Sequence, residues 1–433
     1  MEKLPRAFVQ QMERELGADA PAFFSTYNEE SSVGLRVSSR KGWKPDADFE
    51  SVPWCRTGYY VPNGLRMGKE PLHAAGAYYL QEPSAMAPVE ALGVQLQPGM
   101  RVLDLCAAPG GKSTQIADHL AGKGVLVTNE IHPARARILL ENIERMGVTN
   151  AVVLNEKPAR IAAAFGAWFD AVLVDAPCSG EGMFRRDPDA ISQWSEDAPQ
   201  MCHERQLEIL ESAARCLKGG GTMVYSTCTY NHIENEEAIA AFLETHPDFE
   251  LDDSLSLPGV PCRGGMAHLY PHQLRGEGHF LARLHKKGTE ESFLEPMEGE
   301  KLDARCGKFL SEVMPEYAVR KSFVQGEWIY ALPEEMPQMT GLRILRAGVQ
   351  IGRLASGRME PAHALALAAE SAQVKNRVDV SREDALKFLR GETLPGDFSG
   401  WGLVSYEGLA LGWGKGSNGQ IKNHVPKGLR WKN

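Results

Sequence analysis

The chain has 433 residues, a formal net charge of −9, 43% hydrophobic residues and 24% charged residues. This length predicts two to four domains with sizeable cores, and the negative charge excludes a polycation, so any nucleic-acid surface is local. The eight cysteines are widely spaced without a C-x-x-C pair, which argues against a zinc ribbon, another metal site or a disulfide scaffold. No membrane-span-length apolar run and no signal-peptide core is present. We therefore expect a reduced, cytoplasmic enzyme without a membrane partner.

Residues 1–92 are expected to form a small N-terminal RNA-binding domain. The stretch LPRAFVQQMERELG has helical spacing, and SSVGLRVSSRKGWKP is strand-like and basic. The second stretch sets four cations around Trp43, a combination that can hold phosphates and stack a base: Arg36, Arg40, Lys41 and Lys44. A solvated face with one exposed Trp is the alternative.

Strands and helices alternate over residues 93–285. Short apolar runs (RVLDL, GVLVTN, AVVL, DAVLVDA and GTMVYS) are separated by helical stretches such as PARARILLENIERMG. This alternation predicts an α/β domain with a doubly wound, mostly parallel, Rossmann-like sheet. Ligands of such sheets bind beyond the carboxyl ends of the strands.

The stretch VLDLCAAPGGKSTQIA at 102–117 reads as a strand, a tight turn of small residues and the start of a helix. A P-loop is a poor match because Cys106 stands where its first Gly belongs, and the pattern G-x-G-x-x-G is absent. Glu130 follows the next strand, where an acid can bind ribose hydroxyls. These features favour an adenosine-type ligand without a pyrophosphate, such as S-adenosylmethionine. An ordinary α/β turn is the alternative.

Two further strand ends carry cysteines, Asp175-Ala176-Pro177-Cys178 and Ser226-Thr227-Cys228. Since parallel strands end at the same edge of a sheet, we expect Cys178, Cys228 and Asp175 to converge near the turn. A thiol in a tight turn can serve as a nucleophile, whereas buried cysteines are often plain core residues. The second interpretation is preferred for three other cysteines: Cys106, Cys202 and Cys216.

Two thiols and an acid beside a methyl donor suit methylation at carbon 5 of a pyrimidine. A thiolate that adds at carbon 6 makes carbon 5 nucleophilic, and an acid near ring N3 and the exocyclic amine stabilises the developing charge. Loss of the carbon 5 proton then lets the thiol leave. The base must leave its stack to enter such a pocket.

Three separated motifs resemble the Nop/Sun family of RNA (cytosine-5) methyltransferases: Asp104 to Lys112 (DLCAAPGGK), Asp175 to Gly180 (DAPCSG) and Ser226 to Tyr230 (STCTY). The resemblance implies that Cys228 is the nucleophile and that Cys178 helps to release the product. It also implies that Asp175 and Lys112 contact the cytosine. The segment RGEGHF at 275–280 resembles the closing motif of the family.

The same resemblance implies a set of cofactor-binding residues. They are Ala107, Ala108, Pro109, Gly110, Gly111, Lys112, Ser113, Glu130, Arg135, Asn155 and Asp175. Glu130 would bind the ribose, and Arg135 would lie near the cofactor or form a surface ion pair. The family's adenine-binding Asp is missing, and Asn155 is the first substitute with Glu156 as the second.

The C-terminal third resembles that of the RsmF branch of this family, with a connecting domain at 302–380 and a PUA-like β-barrel at 381–433 that binds RNA. The connecting part contains GLRILRAGVQIGRL, which predicts either a basic hairpin with Arg343, Arg346 and Arg353 or a packing module. The tail has five cations, interleaved with Trp413, His424 and Trp431, which indicates phosphate contacts with stacking platforms or, alternatively, a solvated tail. These cations are Lys415, Lys422, Lys427, Arg430 and Lys432.

Together these features predict an S-adenosylmethionine-dependent enzyme that methylates carbon 5 of cytosines, and the resemblance to the RsmF branch implies 16S rRNA, the RNA of the small ribosomal subunit, as its substrate. The substrate is either naked rRNA or the 30S particle, and a monomer is expected. A tRNA cytosine-5 methyltransferase is one alternative. The other is a ribosome-assembly RNA-binding protein that keeps the fold without turnover.

Overall fold

The computed structural model describes residues 4–93, 96–313, 315, 318, 321–355 and 357–432. Its α-helices are α1 Arg6–Leu16, α2 Ala20–Ser25, α3 Pro71–Ala74, α4 Ala87–Gly93, α5 Gly111–Leu120, α6 Pro133–Arg145, α7 Pro158–Phe165, α8 Pro188–Gln193, α9 Ala198–Cys216, α10 Glu236–Thr245, α11 Ala304–Val313, α12 His363–Ala368 and α13 Arg382–Leu389.

The β-strands are β1 Gly34–Val37, β2 Gly58–Tyr60, β3 Tyr78–Leu80, β4 Arg101–Asp104, β5 Val125–Asn129, β6 Ala151–Leu154, β7 Phe169–Asp175, β8 Leu217–Thr227, β9 Phe249–Leu251, β10 Cys262–Arg263, β11 Met266–Leu269, β12 His279–Lys286, β13 Glu300–Lys301, β14 Lys321–Gln325, β15 Trp328–Ala331, β16 Ile344–Ala347, β17 Val349–Ala355, β18 Arg358–Pro361, β19 Arg377–Asp379, β20 Leu394–Pro395, β21 Gly400–Tyr406, β22 Leu409–Ser417 and β23 Gln420–Asn423.

The central sheet is built on five parallel strands in the order β8-β7-β4-β5-β6. Helices cover both faces of this sheet, so β5 and β6 are buried along their whole length. The antiparallel strand β12 extends the sheet beside β8. This topology confirms the predicted Rossmann-like fold, with β4 flanked by β5 on one side and β7 on the other. The order of the strands along the chain reverses there, with β5 and β6 on one side of β4 and β7 and β8 on the other, which opens a crevice at the carboxyl edge.

The N-terminal domain carries the small antiparallel sheet β2-β1-β3, and its cations mostly serve packing. Arg36 is fully buried and donates to the Gly111 carbonyl at 3.0 Å and to the Thr114 hydroxyl at 2.7 Å, which fixes this sheet on α5. Lys41 donates to the Leu367 carbonyl at 2.6 Å, and burial lowers its pKa to about 7. The expectation that these two side chains face RNA phosphates is therefore wrong.

The N-terminal helices pack beside the loops that follow β7 and β8. Phe8 of α1 and Phe23 of α2 form an aromatic cluster with Phe184 and Tyr230. Tyr230 lies two residues after Cys228, so this cluster supports the segment that carries the predicted nucleophile.

The run GLRILRAGVQIGRL does not form a hairpin of its own. Strand β16 joins the edge of the central sheet, antiparallel to β6, whereas β17 joins a second sheet in the order β13-β14-β15-β17-β18. Arg346 is 1% exposed and donates to the Val148 carbonyl at 2.8 Å. Arg353 forms ion pairs with Glu327 and Glu360. Of the two interpretations left open, the structure supports the packing module.

The C-terminal sheet has the order β19-β21-β22-β23-β20 and forms a half-barrel of the predicted PUA-like type. Trp413 is 1% exposed, packs against Phe309 and donates from its indole nitrogen to the Ala362 carbonyl at 2.8 Å. Its predicted role as a stacking platform for RNA is therefore wrong. Within the described ranges, no helix has both the length and the apolar character that crossing a bilayer requires.

Candidate active site

Two cysteines meet at the carboxyl edge of the central sheet. Strands β7 and β8 are parallel neighbours, with Asp175 opposite Ser226, so the loops that follow them leave the sheet side by side. Cys178 stands in the first loop and Cys228 in the second, and their sulfur atoms lie 3.3 Å apart. Both thiols are free and half-buried. The structure thus brings the two cysteines of the sequence prediction into one site.

The surroundings of Cys178 disfavour its thiolate form. The hydrogen bond with Cys228 raises the pKa of Cys178 well above the ordinary thiol range, and burial together with the charge of Glu234 acts in the same direction. Cys178 therefore keeps its proton and donates it towards the Cys228 sulfur. Because a thiolate and not a thiol attacks an electrophilic carbon, this arrangement favours Cys228 as the nucleophile.

Asp175 lies beside the thiols at the end of β7 and is paired with a buried lysine. Its carboxylate accepts from the Lys112 ammonium at 2.8 Å and from the Ser226 hydroxyl at 2.8 Å. Burial is the largest influence and would raise the pKa of Asp175, but the charge and hydrogen bond of Lys112 and the contact with His279 together outweigh it and hold that pKa well below the usual range. The site therefore presents an aspartate anion next to a lysine cation.

A third polar neighbour of Asp175, His279, was missed by the sequence analysis as a site residue. It is the first residue of β12, is 4% exposed, and its Nε2 lies 3.5 Å from Asp175 Oδ1. Burial and the charge of Lys112 lower the pKa of His279, so the imidazole is neutral. A histidine within the segment RGEGHF was the available signal, but its position beside Asp175 depends on the pairing of β12 with β8.

A cavity of about 770 Å³ opens in front of the thiols. Its lining comes from the ends of β4, β5 and β7, from the starts of α6 and α7, from Cys228 and from one face of α9. This volume suits a ligand the size of a nucleoside derivative together with a base. The lining residues are Leu105, Cys106, Asn129–His132, Arg135, Lys157–Ala159, Asp175–Cys178, Gly180, Met183, Arg205, Glu208, Ile209, Ser212 and Cys228.

The wall formed by α9 was also missed. Arg205, Glu208, Ile209 and Ser212 follow helical spacing and face the cavity together. Arg205 is exposed, so it offers a cation at the rim. The spacing was visible in the sequence, but nothing in it showed which face of this helix the Cys178 loop would meet.

Among the predicted cofactor residues, Glu130, Arg135 and Asp175 line the cavity. One oxygen of Glu130 accepts from the His132 backbone N–H at 2.8 Å, and the other lies 3.4 Å from Arg135. Arg135 also donates to the Ala108 carbonyl at 2.9 Å. Arg135 thus connects the small-residue turn to the acid at the end of β5.

The small-residue turn at 106–110 contributes only Cys106 to the cavity lining. Its other small residues allow close packing. Gly110 has φ +111°, a conformation that L side chains rarely adopt, and a Cβ at Gly111 would meet the Tyr79 ring at 3.2 Å. The Ser113 hydroxyl is engaged internally, with Asp104 and Thr128 both at 2.6 Å. The remaining predicted turn residues, Ala107, Ala108 and Pro109, lie between β4 and this helix start.

The two candidates for the adenine contact both have internal partners. The Asn155 amide donates to the carbonyls of Glu130 at 2.7 Å and Ile131 at 2.9 Å, so it shapes the backbone after β5. The Glu156 carboxylate accepts from the Arg343 backbone N–H at 2.8 Å and pairs with Arg160 at 3.1 Å. Neither side chain is among the cavity-lining residues.

The other cysteines preferred as core residues do not join the pair. Cys106 reaches the cavity wall, but burial raises its pKa far above the thiol range. Burial likewise raises the pKa of Cys216 to about 12 and that of Cys202 to about 11. A search of the described residues found no cluster of three or more His, Cys, Asp or Glu side chains suited to a metal ion.

Four regions of the chain match known protein families. Residues 91–285 match the family "16S rRNA methyltransferase RsmB/F", and residues 4–83 match "N-terminal domain of 16S rRNA methyltransferase RsmF". Residues 308–368 match "RsmF rRNA methyltransferase first C-terminal domain", and residues 375–431 match "Methyltransferase RsmF PUA domain". The matches follow one another in chain order from the N-terminal domain to the C-terminal sheet.

Similarity to individual proteins extends over most of the chain. The "Ribosomal RNA small subunit methyltransferase F" of Vibrio campbellii is 33% identical and is matched over 91% of this chain and 88% of its own. A solved methyltransferase homolog protein from Pyrococcus horikoshii is 27% identical, with a TM-score of 0.56 over 65% of this chain and 95% of that chain. NSun6 from Pyrococcus horikoshii, solved with SFG, shares the fold at 20% identity, with a TM-score of 0.56 over 66% and 98% of the two chains. With all four regions matched and the two-thiol site present, the chain belongs to the RsmF branch of the RsmB/F family of 16S rRNA methyltransferases.

Proposed function

We propose that this protein methylates carbon 5 of cytosines in 16S rRNA, with S-adenosylmethionine as the methyl donor. The observation that carries the proposal is the pair of sulfur atoms 3.3 Å apart at the rim of a 770 Å³ cavity. A second thiol at that distance is of no use to a methyltransferase that transfers directly to a heteroatom. It is useful where one thiol must bond to the substrate and later leave it.

The residues around the cavity suit the cofactor. Glu130 would accept from the ribose hydroxyls, with Arg135 orienting its carboxylate. Ile131 is 47% exposed and lines the cavity together with Pro158, so these two side chains offer an apolar surface on which adenine can pack. The Asn155 amide fixes the backbone of Ile131 by donating to its carbonyl. The proposed cofactor residues follow β5 and β6, on one side of β4, whereas the two thiols follow β7 and β8 on the other side. When bound, S-adenosylmethionine would supply the electrophilic methyl group.

The chain's own residues would then handle a flipped cytosine. Asp175 accepts from the exocyclic amine, and the Lys112 ammonium offsets the negative charge that builds on the ring when carbon 6 is attacked. The Cys228 thiolate forms the S–C6 bond with its own electron pair, and the electron pair displaced from the C5=C6 double bond makes carbon 5 nucleophilic. His279 stays neutral behind Asp175, with its Nε2 3.5 Å from the carboxylate.

Release reverses the thiol addition. After methyl transfer, a base takes the carbon 5 proton, the C5–H electron pair restores the C5=C6 double bond, and the S–C6 bond breaks with its electron pair returning to Cys228. Cys178 keeps its proton at 3.3 Å, so its S–H can stabilise the departing thiolate by a hydrogen bond. This gives Cys178 the assisting role that the family resemblance implies.

A cationic surface on the C-terminal sheet supports an RNA substrate. This surface, the lysine patch, consists of Trp401, Lys415, Lys422 and His424. Lys415 pairs in register with Trp401 on one side and with Lys422 on the other, and its ammonium lies 5.3 Å from the centre of the Trp401 ring. His424 packs on the same ring at 4.4 Å. Two like charges directly opposite each other repel, and a phosphate between them removes that cost.

The relatives' name, "Ribosomal RNA small subunit methyltransferase F", supports rRNA over tRNA. The two-thiol geometry supports turnover over a purely binding role in ribosome assembly. We further propose domains at 1–92, 93–285, 302–380 and 381–433, with β16 of the third completing the sheet of the second. Action in the cytoplasm, as a monomer, on rRNA or the 30S particle stays a prediction.

The test is to map 5-methylcytosine in rRNA from cells that carry the wild-type protein, the Cys228→Ala variant or neither. We expect a set of methylated cytosines in 16S rRNA that needs Cys228. Purified enzyme with labelled donor, offered 30S subunits, naked 16S rRNA and tRNA, then identifies the preferred substrate. Methylation of tRNA alone, or 16S methylation that survives Cys228→Ala, would contradict the proposal.

A further inference from the structure

Two buried acids connect the loops of the two cysteines. Glu181 follows Cys178 by three residues, and Glu234 follows Cys228 by six residues. Both are 0% exposed, and neither lines the cavity. The carboxylate of each acid accepts hydrogen bonds from the loop of the other cysteine, so the two acids link the loops in both directions.

Glu181 reaches from the Cys178 loop to the segment after Cys228. One of its oxygens, Oε2, accepts from the Thr229 hydroxyl at 2.7 Å and from the backbone N–H groups of Tyr230 at 2.9 Å and Asn231 at 3.1 Å. Its other oxygen, Oε1, is buried with no hydrogen-bond partner among the described residues. Burial raises the pKa of Glu181, which favours a proton on that oxygen.

Glu234 reaches in the opposite direction, and both of its oxygens are fully used. Oε2 accepts from the Ser179 backbone N–H at 3.0 Å and from the Gln206 amide of α9 at 2.9 Å. Oε1 accepts from the Ser179 hydroxyl and from the Asn231 amide at 2.8 Å. Four donors fill the lone-pair directions of this carboxylate. Ser179 follows Cys178 directly, so Glu234 fixes the backbone next to that thiol.

We propose that Glu181 and Glu234 are positioning residues that hold the Cys178 and Cys228 sulfurs at the distance needed for product release. The inference rests on the proposed function. Neither acid touches the substrate cavity, so each acts through the loop that it binds. A Cys178 loop that drifts by a fraction of an ångström weakens the S–H hydrogen bond to the departing thiolate, whereas Cys228 can still add to carbon 6.

Replacement of the carboxylate by an amide should have different effects at Glu181 and at Glu234. In Glu181→Gln the remaining oxygen can accept all three hydrogen bonds, while the new NH₂ takes the place of the partnerless oxygen. In Glu234→Gln the NH₂ replaces an oxygen that faces two donors. Of the four donors only the Ser179 hydroxyl can turn and accept, so at least one hydrogen bond is lost and an N–H group faces the new NH₂. A general loss of packing would not distinguish these two isosteric changes.

The first measurement is covalent trapping on 16S rRNA with S-adenosylmethionine, read as a slow-migrating protein–RNA band. We expect Glu234→Gln to accumulate the adduct and to lower kcat by about tenfold or more, with KM for RNA nearly unchanged. Glu181→Gln should behave like the wild type, whereas Glu181→Ala should accumulate the adduct. Glu237→Gln, an exposed change three residues beyond Glu234, is the matched control.

The second measurement reports the thiol distance without catalysis. Diamide takes one hydrogen from each of two thiols and becomes a hydrazine while one S–S bond forms. Because Cys178 and Cys228 are close, their free thiols should disappear fastest among the eight cysteines. We expect the rate of this loss to fall by about tenfold in Glu234→Gln and to stay unchanged in Glu181→Gln. Cys178→Ser confirms which pair reacts. If Glu234→Gln does not fold, Ser179→Ala, which removes one donor, should show a smaller decrease.

Equal behaviour of the two Gln variants in trapping and in diamide oxidation would overturn the inference. So would a Glu234→Gln protein with wild-type turnover and no adduct. If the wild-type protein itself neither methylates 16S rRNA nor needs Cys228, the proposed function fails. The diamide rates would then still decide whether the carboxylates set the thiol distance.

Discussion

The carboxylate of Asp175 lies 2.8 Å from the ammonium of Lys112, although Asp175 ends β7 and Lys112 stands in the first turn of α5. The turn after β4 brings them together, because β4 and β7 are parallel neighbours at the point where the strand order reverses. A carboxylate and an ammonium thus meet at the same edge as the two thiols. This pair sets the charge that a cytosine ring would encounter.

Lys112→Met should shift the acid side of the pH–activity profile upward. Burial favours a neutral Asp175, and the lysine charge is the main factor that keeps the pKa of its carboxyl low. Without Lys112 that pKa rises, so the carboxylate is protonated at a higher pH and its contact with the exocyclic amine is lost. We expect kcat/KM of Lys112→Met to fall with acid at a pH about one unit or more above that of the wild type, measured with labelled donor from pH 8 down to pH 3.

The same pair makes a prediction for stability. A depressed folded-state pKa contributes stability that is fully present above the ordinary aspartate pKa of about 4 and is lost as the pH falls from there through the folded-state value. Lys112→Met should therefore lower the free energy of unfolding at pH 7 more than at pH 3. Lys123→Met, at an exposed site beyond the same helix, is the control. An unchanged acid limb with reduced kcat would show that Lys112 acts on the substrate alone.

Cys178→Ala should separate addition from release. The Cys228 thiolate can still bond to carbon 6, but the departing thiolate no longer receives an S–H hydrogen bond. We expect covalent protein–RNA complex to accumulate and multiple turnover to fall by about 100-fold, with a first turnover that remains measurable. Cys262→Ala, a half-buried cysteine of β10, should change neither quantity. If an active Cys178→Ala variant shows no slow-migrating protein–RNA band on a gel, Cys178 serves packing and not product release.

The lysine patch should contribute to the salt dependence of RNA binding. Each phosphate that a protein neutralises on a single strand contributes about 0.7 to the slope of log K against log salt. The double change Lys415→Gln and Lys422→Gln should therefore lower this slope by up to about 1.4 and weaken binding of all RNA sequences alike. Lys308→Gln, an exposed change on α11, tests for a general charge effect. An unaltered slope would exclude the patch from the RNA interface.

The elements around the thiols were predictable because their signals are local. Buried strands of four or more apolar residues, a helix that starts at Pro133, and motifs placed directly after strands define the carboxyl edge. Parallel neighbours then make the approach of Cys178 to Cys228 a matter of topology. The RsmF-type regions were also predicted in the order in which the family matches fall.

What the sequence could not provide is which polar side chains the domains bury against each other. Arg36 and Arg346 looked like parts of basic surfaces, but each donates to backbone groups of the methyltransferase domain. Trp413 looked like a stacking platform and is a core residue. Conversely, His279 and the wall formed by α9 join the site through contacts between distant segments, which no periodicity reveals.

Arg205→Gln tests whether this α9 wall meets RNA. Arg205 is exposed, lines the cavity with Cys178 and Met183, and has no ion-pair partner within the described ranges. A flipped nucleotide brings its flanking phosphates to the rim of its pocket, so we expect Arg205 to bind one of them. The change should raise KM for RNA by about tenfold and leave the affinity for S-adenosylmethionine unaltered by calorimetry. Arg215→Gln, exposed on the same helix but outside the cavity lining, should have little effect. A selective loss of cofactor affinity would instead place Arg205 against the methyl donor.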